Sequence, residues 1–386
     1  MKTIAQLMCA AALLALLVPE DAFAIPAFAR KYDMSCNVCH SPVPKLKPYG
    51  DEFAANGYQM KGNEPPRFVR QTGDDRLFLM RELPLAIRVD GYARYVKGNN
   101  PESDIEWPYI LKILSGGQIA HDVSYFFYFL FDERGEIAGV EDAFLYFNDL
   151  WSSEVDLMVG QYQVADPIFK RELRPMFEDY EIYKVKPGNA KADLTYDRGL
   201  TVSTALSTGT DVLVSVLNGN GIGAAAGTFD DDPYKNAFVR LAQPVDSLIK
   251  IGGLAYWGKE RYGNGTINRT TMFGGDGSIS FGIVELAGQY LVRKDTNPFS
   301  VAGKDSSMTT RGGFLQVMIA PQRDRSEWYL FFLYNKVKSG DASIDYHSVA
   351  GNFTYLLARN LKVMGEYAYD LERKTHGVTI GFMTAF

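Results

Sequence analysis

From about Leu83 to the C-terminus the sequence repeats one pattern, and that pattern limits the folds open to it. Segments of roughly 8–14 residues alternate apolar and polar and are divided by turn residues. Leu85, Ile87, Val89, Gly91, Ala93 and Tyr95 share one face of the first; Arg88, Asp90, Tyr92 and Arg94 share the other. Near the end, Leu361, Val363, Tyr367 and Tyr369 oppose Lys362, Glu366 and Asp370. The last segment sets Val378, Ile380, Phe382, Thr384 and Phe386 against Thr379, Gly381, Met383 and Ala385. Sixteen such segments start near residues 83, 107, 117, 139, 154, 198, 211, 236, 247, 271, 283, 311, 327, 344, 361 and 376.

The connections sort by parity. Those after odd-numbered segments (164–197, 219–235, 258–270, 294–310) are long. Those after even-numbered ones (149–153, 208–210, 244–246, 358–360) are short. A soluble sandwich also alternates, but it has no reason to sort its loops this way, or to gather Tyr and Phe at strand ends. A transmembrane barrel has both reasons: tight turns on one side, long loops on the other, and aromatic girdles at the two interfaces. The 13% aromatic content and 36 glycines suit pleated strands and turns. No apolar run of helix-spanning length follows the N-terminal leader. The expected fold is all-β: a transmembrane antiparallel β-barrel of about 16 strands over residues 81–386, with the terminal Phe386 as the aromatic read during barrel assembly.

Two outer connections stand out. Residues 164–197 are dense in charge, including Lys170, Arg171, Glu172, Arg174, Glu178, Asp179, Glu181, Lys184 and Lys186. Such a loop either folds inward to narrow the lumen or lies solvated on the surface. Asp230, Asp231 and Asp232 either attract cations such as ferrous iron or are a solvated charge run.

Residues 1–24 read as a signal peptide: Lys2, an apolar run from Ile4 to Val18, and an Ala22-Phe23-Ala24 cleavage site. Removing it takes away Cys9 and leaves Cys36 and Cys39 as the only thiols. The net charge of -6 is mild and no basic stripe is present, which argues against a nucleic-acid partner. The expected location is the outer membrane of a Gram-negative bacterium, in contact with its lipid.

Residues 25–80 read as a small module and a linker. Their centre is Cys36-Asn37-Val38-Cys39-His40. Two thiols at this spacing, with an imidazole directly behind, attach a c-type haem. The thiols add to the porphyrin vinyl groups and the imidazole lies under the iron. Zinc needs further ligands at matching spacing, and a redox dithiol needs a βαβ setting; neither is present. One haem c is therefore expected, tethered by Cys36 and Cys39, with His40 as the proximal iron ligand. Met60 is the candidate distal ligand, and a Met/His pair raises the potential relative to bis-His. Met34 lies too close to Cys36 and is expected to pack near the ring. His121, His347 and His376 lie in the barrel region and reach the haem only from the lumen. Pro48 opens a short helix carrying Tyr49 and Phe53, and Gly57 ends it. Residues 61–76 are polar and Pro-bearing, as in a linker. About 50 residues cannot bury a porphyrin and their own core, so residues 25–65 are expected to cap or plug the barrel.

With these residues in hand, the chain resembles the fused monohaem cytochrome–porin family of outer-membrane iron oxidases. The resemblance is carried by Phe28-Ala29-Arg30, Met34, Cys36, Cys39, His40, Pro44, Leu46, Gly50, Phe53, Gly57 and Tyr58. It covers about residues 26–60; the barrel matches in architecture only, and the chain is on the short side for the family. The resemblance implies a short cytochrome followed by a porin-like barrel of about sixteen strands. It also implies electron flow from an extracellular donor such as Fe(II) to a periplasmic cytochrome. The protein would then be an Fe(II)-oxidising oxidoreductase or an electron carrier. Two alternatives stand beside this: a diffusion porin in which the haem module is a plug, and a haem-based sensor with an open sixth site.

Overall fold

The computed structural model describes residues 27–60, 68–98, 101–165, 168–223, 228–301 and 306–386. The expected signal peptide and residues 61–67 of the expected linker lie outside the described residues. Sixteen strands form one closed barrel. They are β1 (Leu85–Lys97), β2 (Glu102–Ala120), β3 (Val123–Glu133), β4 (Gly139–Phe147), β5 (Val155–Gln163), β6 (Tyr196–Ala205), β7 (Asp211–Leu217) and β8 (Asn236–Pro244). The second half holds β9 (Ile249–Arg261), β10 (Ile267–Phe281), β11 (Val284–Asp295), β12 (Met308–Ile319), β13 (Trp328–Ser339), β14 (Tyr346–Ala358), β15 (Leu361–Asp370) and β16 (Thr375–Ala385). Each strand pairs antiparallel with its sequence neighbours, and β1 closes on β16 from Arg88↔Ala385 to Lys97↔His376. Closure leaves no strand edge, which a wall in hydrocarbon requires.

The two faces sort as the alternation dictates. Ile251, Phe273, Tyr290, Leu315, Phe353 and Ile380 are exposed on the outside of the wall, while Asp90, Arg240, Arg293, Asn335, Lys362 and Glu366 are buried inside it. A soluble protein does not expose so broad an apolar band; a barrel in lipid must.

The even connections gather at one end of the barrel, hereafter the turn end. Three are two-residue turns, at 121–122, 282–283 and 359–360, while 148–154 and 320–327 are longer and each hold a 3-10 turn. The longest odd connections, 164–195 and 218–235, rise at the other, the loop end. Two boundaries differ from expectation. The break expected near 117 is absent: β2 runs through Gly116 and Gly117 to Ala120 and turns at His121-Asp122. These glycines are seats rather than a turn. A Cβ at Gly116 would lie 2.8 Å from the Phe126 ring and 3.1 Å from Phe28, and one at Gly117 would lie 2.7 Å from the Met80 sulfur. The expected long loop 258–270 is only 262–266, because β9 and β10 keep pairing to Arg261↔Ile267.

Among the described residues before the barrel lie two short helices, α1 (Ala27–Tyr32) and α2 (Pro48–Ala55), with one 3-10 turn at Cys36–Val38 between them. Pro48 opens α2, and Gly57, at φ +61°, follows its Asn56 cap.

Candidate haem site in the barrel mouth

The Cys36–His40 segment is a tight turn held by its own backbone. The amides of Cys39 and His40 both donate to the Cys36 carbonyl, at 3.2 and 2.9 Å. The chain then loops out and returns, with the Ser41 amide on the Lys45 carbonyl and the Lys47 amide on the Cys39 carbonyl, both at 2.9 Å. Helix α2 starts there and crosses so closely that a Cβ on Gly50 would collide with the Cys39 carbonyl. Glycine is thus required at 50 by a backbone approach, and that approach fixes the turn against the helix.

His40 Nδ1 lies 2.7 Å from the Pro44 carbonyl oxygen. A carbonyl only accepts, so Nδ1 carries the proton and Nε2 keeps its lone pair. Metal-ligating histidines are oriented in this way. Burial pushes the His40 pKa below its ordinary value, outweighing the Pro44 and Lys45 carbonyls and Asp51. Burial thus favours the neutral ring, the form that binds a metal. Both thiols are free and part-exposed, with burial raising the pKa of each. Between them Asn37 Oδ1 is buried with no hydrogen-bond partner. Two accessible thiols, an aimed imidazole nitrogen and an orphaned polar atom suit a covalently attached haem.

The module sits in the turn-end mouth. Phe28 stacks on Tyr58 at 5.1 Å between centroids, and Tyr58 stacks on Phe126 of the inner wall at 4.5 Å. Gly57 lies against Ser124, Tyr146 and Asn148, where β3 begins and β4 ends. On the other side Lys45 pairs with Glu285 at the start of β11, and Lys47 lies 3.7 Å from Asp324 in the β12–β13 connection. In a ring of sixteen strands β3 and β11 face each other. The module therefore wedges the mouth from wall to wall, the arrangement expected of a plug.

The outer connection 164–195 also folds inward, which resolves the two readings of its charge. It enters beside β11, where Arg293 donates to the Val185 and Ala192 carbonyls at 2.9 and 2.7 Å while paired to Asp295. It then descends toward the turn end. There Glu366 accepts from the amides of Phe177 and Glu178, Tyr329 Oη donates to the Pro175 carbonyl at 3.1 Å, and Lys112 pairs with Glu172 at 2.6 Å. Tyr180, Tyr183 and Ile182 join Phe238, Tyr256, Phe314 and Phe331 in a buried cluster inside the barrel.

Of the remaining candidates, His121 is exposed beside Asp122 in a turn, and His347 and His376 lie on the outer face beside Tyr334 and Tyr369. None of these three faces the lumen. Met60 is half-buried beyond the far end of α2 from the Gly50–Cys39 contact, and Met34 follows α1 with its amide on the Ala29 carbonyl. The Asp230–Asp232 carboxylates lie within 4.8 Å of one another. Each already has a partner: Lys235 pairs with Asp230, Lys191 with Asp231, and Asp232 accepts from the Tyr234 and Arg261 amides. The wedge contacts of Tyr58 and Gly57 were not foreseen. Their sequence signal is a glycine–aromatic pair, in which Gly57 reads as a helix stop and both residues belong to the family resemblance.

No protein-family model and no curated protein sequence matches the chain. Solved structures do. An anion-selective porin from Comamonas acidovorans aligns with a TM-score of 0.59 and 13% identity, over 79% of this chain and 99% of that one. Salmonella typhi OmpF, in complex with daunomycin, aligns at 0.56 and 13%, over 81% and 98%. The outer membrane channel DcaP of Acinetobacter baumannii aligns at 0.56 and 12%, over 79% and 97%. At such identities the likeness is one of fold: this chain has the closed sixteen-strand barrel of the porins.

Proposed function

We propose that this chain is an electron-transfer protein of a bacterial outer membrane, with a single c-type haem housed in one mouth of a porin-like barrel. Cys36 and Cys39 are its tethers, His40 its proximal ligand and Met60 its distal ligand. The observation that carries this is the Cys36–His40 turn, its imidazole pinned by Nδ1 to Pro44, in a module wedged between opposite walls of the barrel. When bound, the haem supplies a one-electron Fe(III)/Fe(II) couple. The chain's own residues do the rest. The 164–195 connection and the module enter the lumen from its two ends. The apolar outer band anchors the barrel in lipid. The reading gives the turn end to a periplasmic cytochrome and the loop end to an extracellular donor, with Fe(II) as the first to try.

Expression in a host that attaches c-type haem tests this. The expected result is a haem-stained band that survives denaturing electrophoresis and a low-spin spectrum reduced by Fe(II). Haem that is attached but not reduced by Fe(II) would remove the iron donor and leave electron transfer. A five-coordinate ferrous spectrum would favour the sensor and remove Met60.

The fold likeness to an anion-selective porin and an outer membrane channel favours a second reading, a diffusion channel with the module as its plug. Planar-bilayer conductance separates the two: a steady open pore in the haem-loaded protein supports diffusion, and a closed one supports electron transfer.

A further inference from the structure

The outer face of strands β9–β13 carries charge that the strands themselves do not answer. These five strands hold four carboxylates, Glu260, Asp276, Glu285 and Asp295. All four turn inward: Glu260 and Asp295 are buried, Asp276 pairs with Arg240, and Glu285 pairs with Lys45 of the module. The cations near the loop end turn the other way. Lys259, Arg261, Arg269, Lys294, Arg311 and Lys336 lie beside buried neighbours in their strands, and all but the half-buried Lys259 are exposed. Among the described residues none of these six is in an ion pair.

The register crowds them. Arg269 stands directly opposite Lys259, and Arg311 directly opposite Lys338. Like charges so placed repel across a sheet. Lys338 has Asp345 as its partner, and Lys259 and Arg261 lean on the Tyr234 ring, at 3.7 and 5.4 Å from its centroid. Lys294 and Arg311 have no such help. Lys294 is opposite Thr309, two residues from Arg311, and diagonal neighbours of that kind are about 7–8 Å apart. A group with several anionic oxygens can answer both. The belt is confined to this sector. At the loop end of β2 and β3 the wall exposes Glu102 and Asp104 among Ile105, Trp107 and Phe131.

On the same strands, nearer the middle of the wall, the outer surface is dented. Gly275, Gly277 and Gly288 present no side chain there, and with the exposed Tyr290 and Leu315 they line a shallow depression of about 430 Å³. Lys294 lies four residues from Tyr290 and Arg311 four from Leu315, roughly 13 Å at the rise of a strand. A dent that far below a cationic belt, in a wall that stands in lipid, suits a molecule with an anionic head and a hydrocarbon tail.

We propose that this sector binds a phosphate-bearing lipid of the leaflet that meets the loop end. Arg269, Lys294 and Arg311 hold its phosphates, and an acyl chain lies in the glycine depression. Arginine offers phosphate oxygens a fork of donors and lysine a point charge. The occupant is a lipid rather than a dissolved anion because the depression opens on the hydrocarbon side of the wall. The site does not depend on the haem.

Native mass spectrometry of the full-length protein in neutral detergent tests this, with diphosphoryl and monophosphoryl lipid A as probes. Wild type is expected to bind the diphosphoryl form more tightly. Lys294→Gln with Arg311→Gln is expected to weaken that binding by roughly 30-fold, the share of two interfacial charges. Lys97→Gln, at an exposed cation of β1 outside the sector, is expected to leave it unchanged. At Gly275 a Cβ meets nothing closer than 3.8 Å. Gly275→Leu is therefore expected to fold, to weaken the lipid severalfold and to leave inorganic pyrophosphate binding as it was. Equal lipid binding by wild type and the double variant overturns the proposal, and so does an equal loss in Lys97→Gln. Unchanged lipid binding in Gly275→Leu overturns the acyl seat. Pyrophosphate that binds wild type as tightly as the lipid means a dissolved anion and overturns the lipid. An oligomer that forms without lipid and dissociates in the double variant means that a second copy covers this face, and overturns it too. Should the double variant fail to fold, judged by heat-modifiable gel migration, Arg269→Gln with Lys336→Gln reads the same binding, and no loss there overturns the proposal equally.

Discussion

Two segments enter the barrel, and they are held by different physics. The 164–195 connection is welded by buried charge. Arg293–Asp295, Lys112–Glu172 and the Glu366 carboxylate each bond the loop from a different strand, and Arg171–Asp179 ties it to itself at 2.5 Å. The N-terminal module has aromatic stacking on one side and two lysine pairs on the other, with one orphaned buried oxygen between its cysteines. A loop that only narrows a lumen must hold its shape unaided. A module that wraps a prosthetic group leaves part of its core to that group, since so short a segment cannot bury enough of its own.

On the proposed haem reading, changes at the module are expected to act on haem attachment and seating, and changes at the loop on stability. The largest effect expected is from Cys36→Ala with Cys39→Ala. Covalent haem is lost completely and the module becomes protease-sensitive, while the 164–195 connection stays protected; haem staining and limited proteolysis read both. Next is Arg293→Ala, which leaves the fully buried Asp295 with Asn268 and Thr270 but no counter-charge, and frees two loop carbonyls. A loss of about 3–5 kcal/mol is expected in denaturant unfolding, with haem content unchanged. Gly57→Ala forces a side chain into φ +61° against Ser124. A cost of about 1–2 kcal/mol is expected, seen as faster proteolysis of the module with the barrel intact. Smallest is Lys45→Ala. Its pair with Glu285 is partly solvated, so up to about 1 kcal/mol of module seating is expected to go. That loss is read as a module release whose salt dependence is weaker than in the wild type.

Much of the barrel was legible because a strand in lipid must alternate at every second residue. The alternation came out as the sequence implies in the middle of β15, where Lys362 and Glu366 are buried and Val363 and Tyr367 exposed, and in β16, where Val378 and Ile380 are exposed on either side of buried Thr379. The β2–β3 boundary did not. Gly116-Gly117 has the composition of a turn, and only the rings of Phe28 and Phe126 and the Met80 side chain explain why it lies within a strand. At the site, Cys36, Cys39 and His40 are local and were legible as a motif. The pinning of His40 by Pro44 follows from the looped-out 41–45 segment, whose path no spacing rule predicts.

By itself, then, the sequence determined the wall and marked out the Cys36–His40 motif, because both depend on short-range order: a period of two and a spacing of three. Only the tertiary structure decided what fills the lumen. The charge of 164–195 reads equally as a surface loop or an inward one, until Arg293, Glu366 and Lys112, far apart in the chain, are seen to converge on it. The seat of the module between β3 and β11 is likewise a property of closure, since two strands so distant in sequence face each other only once the ring is complete.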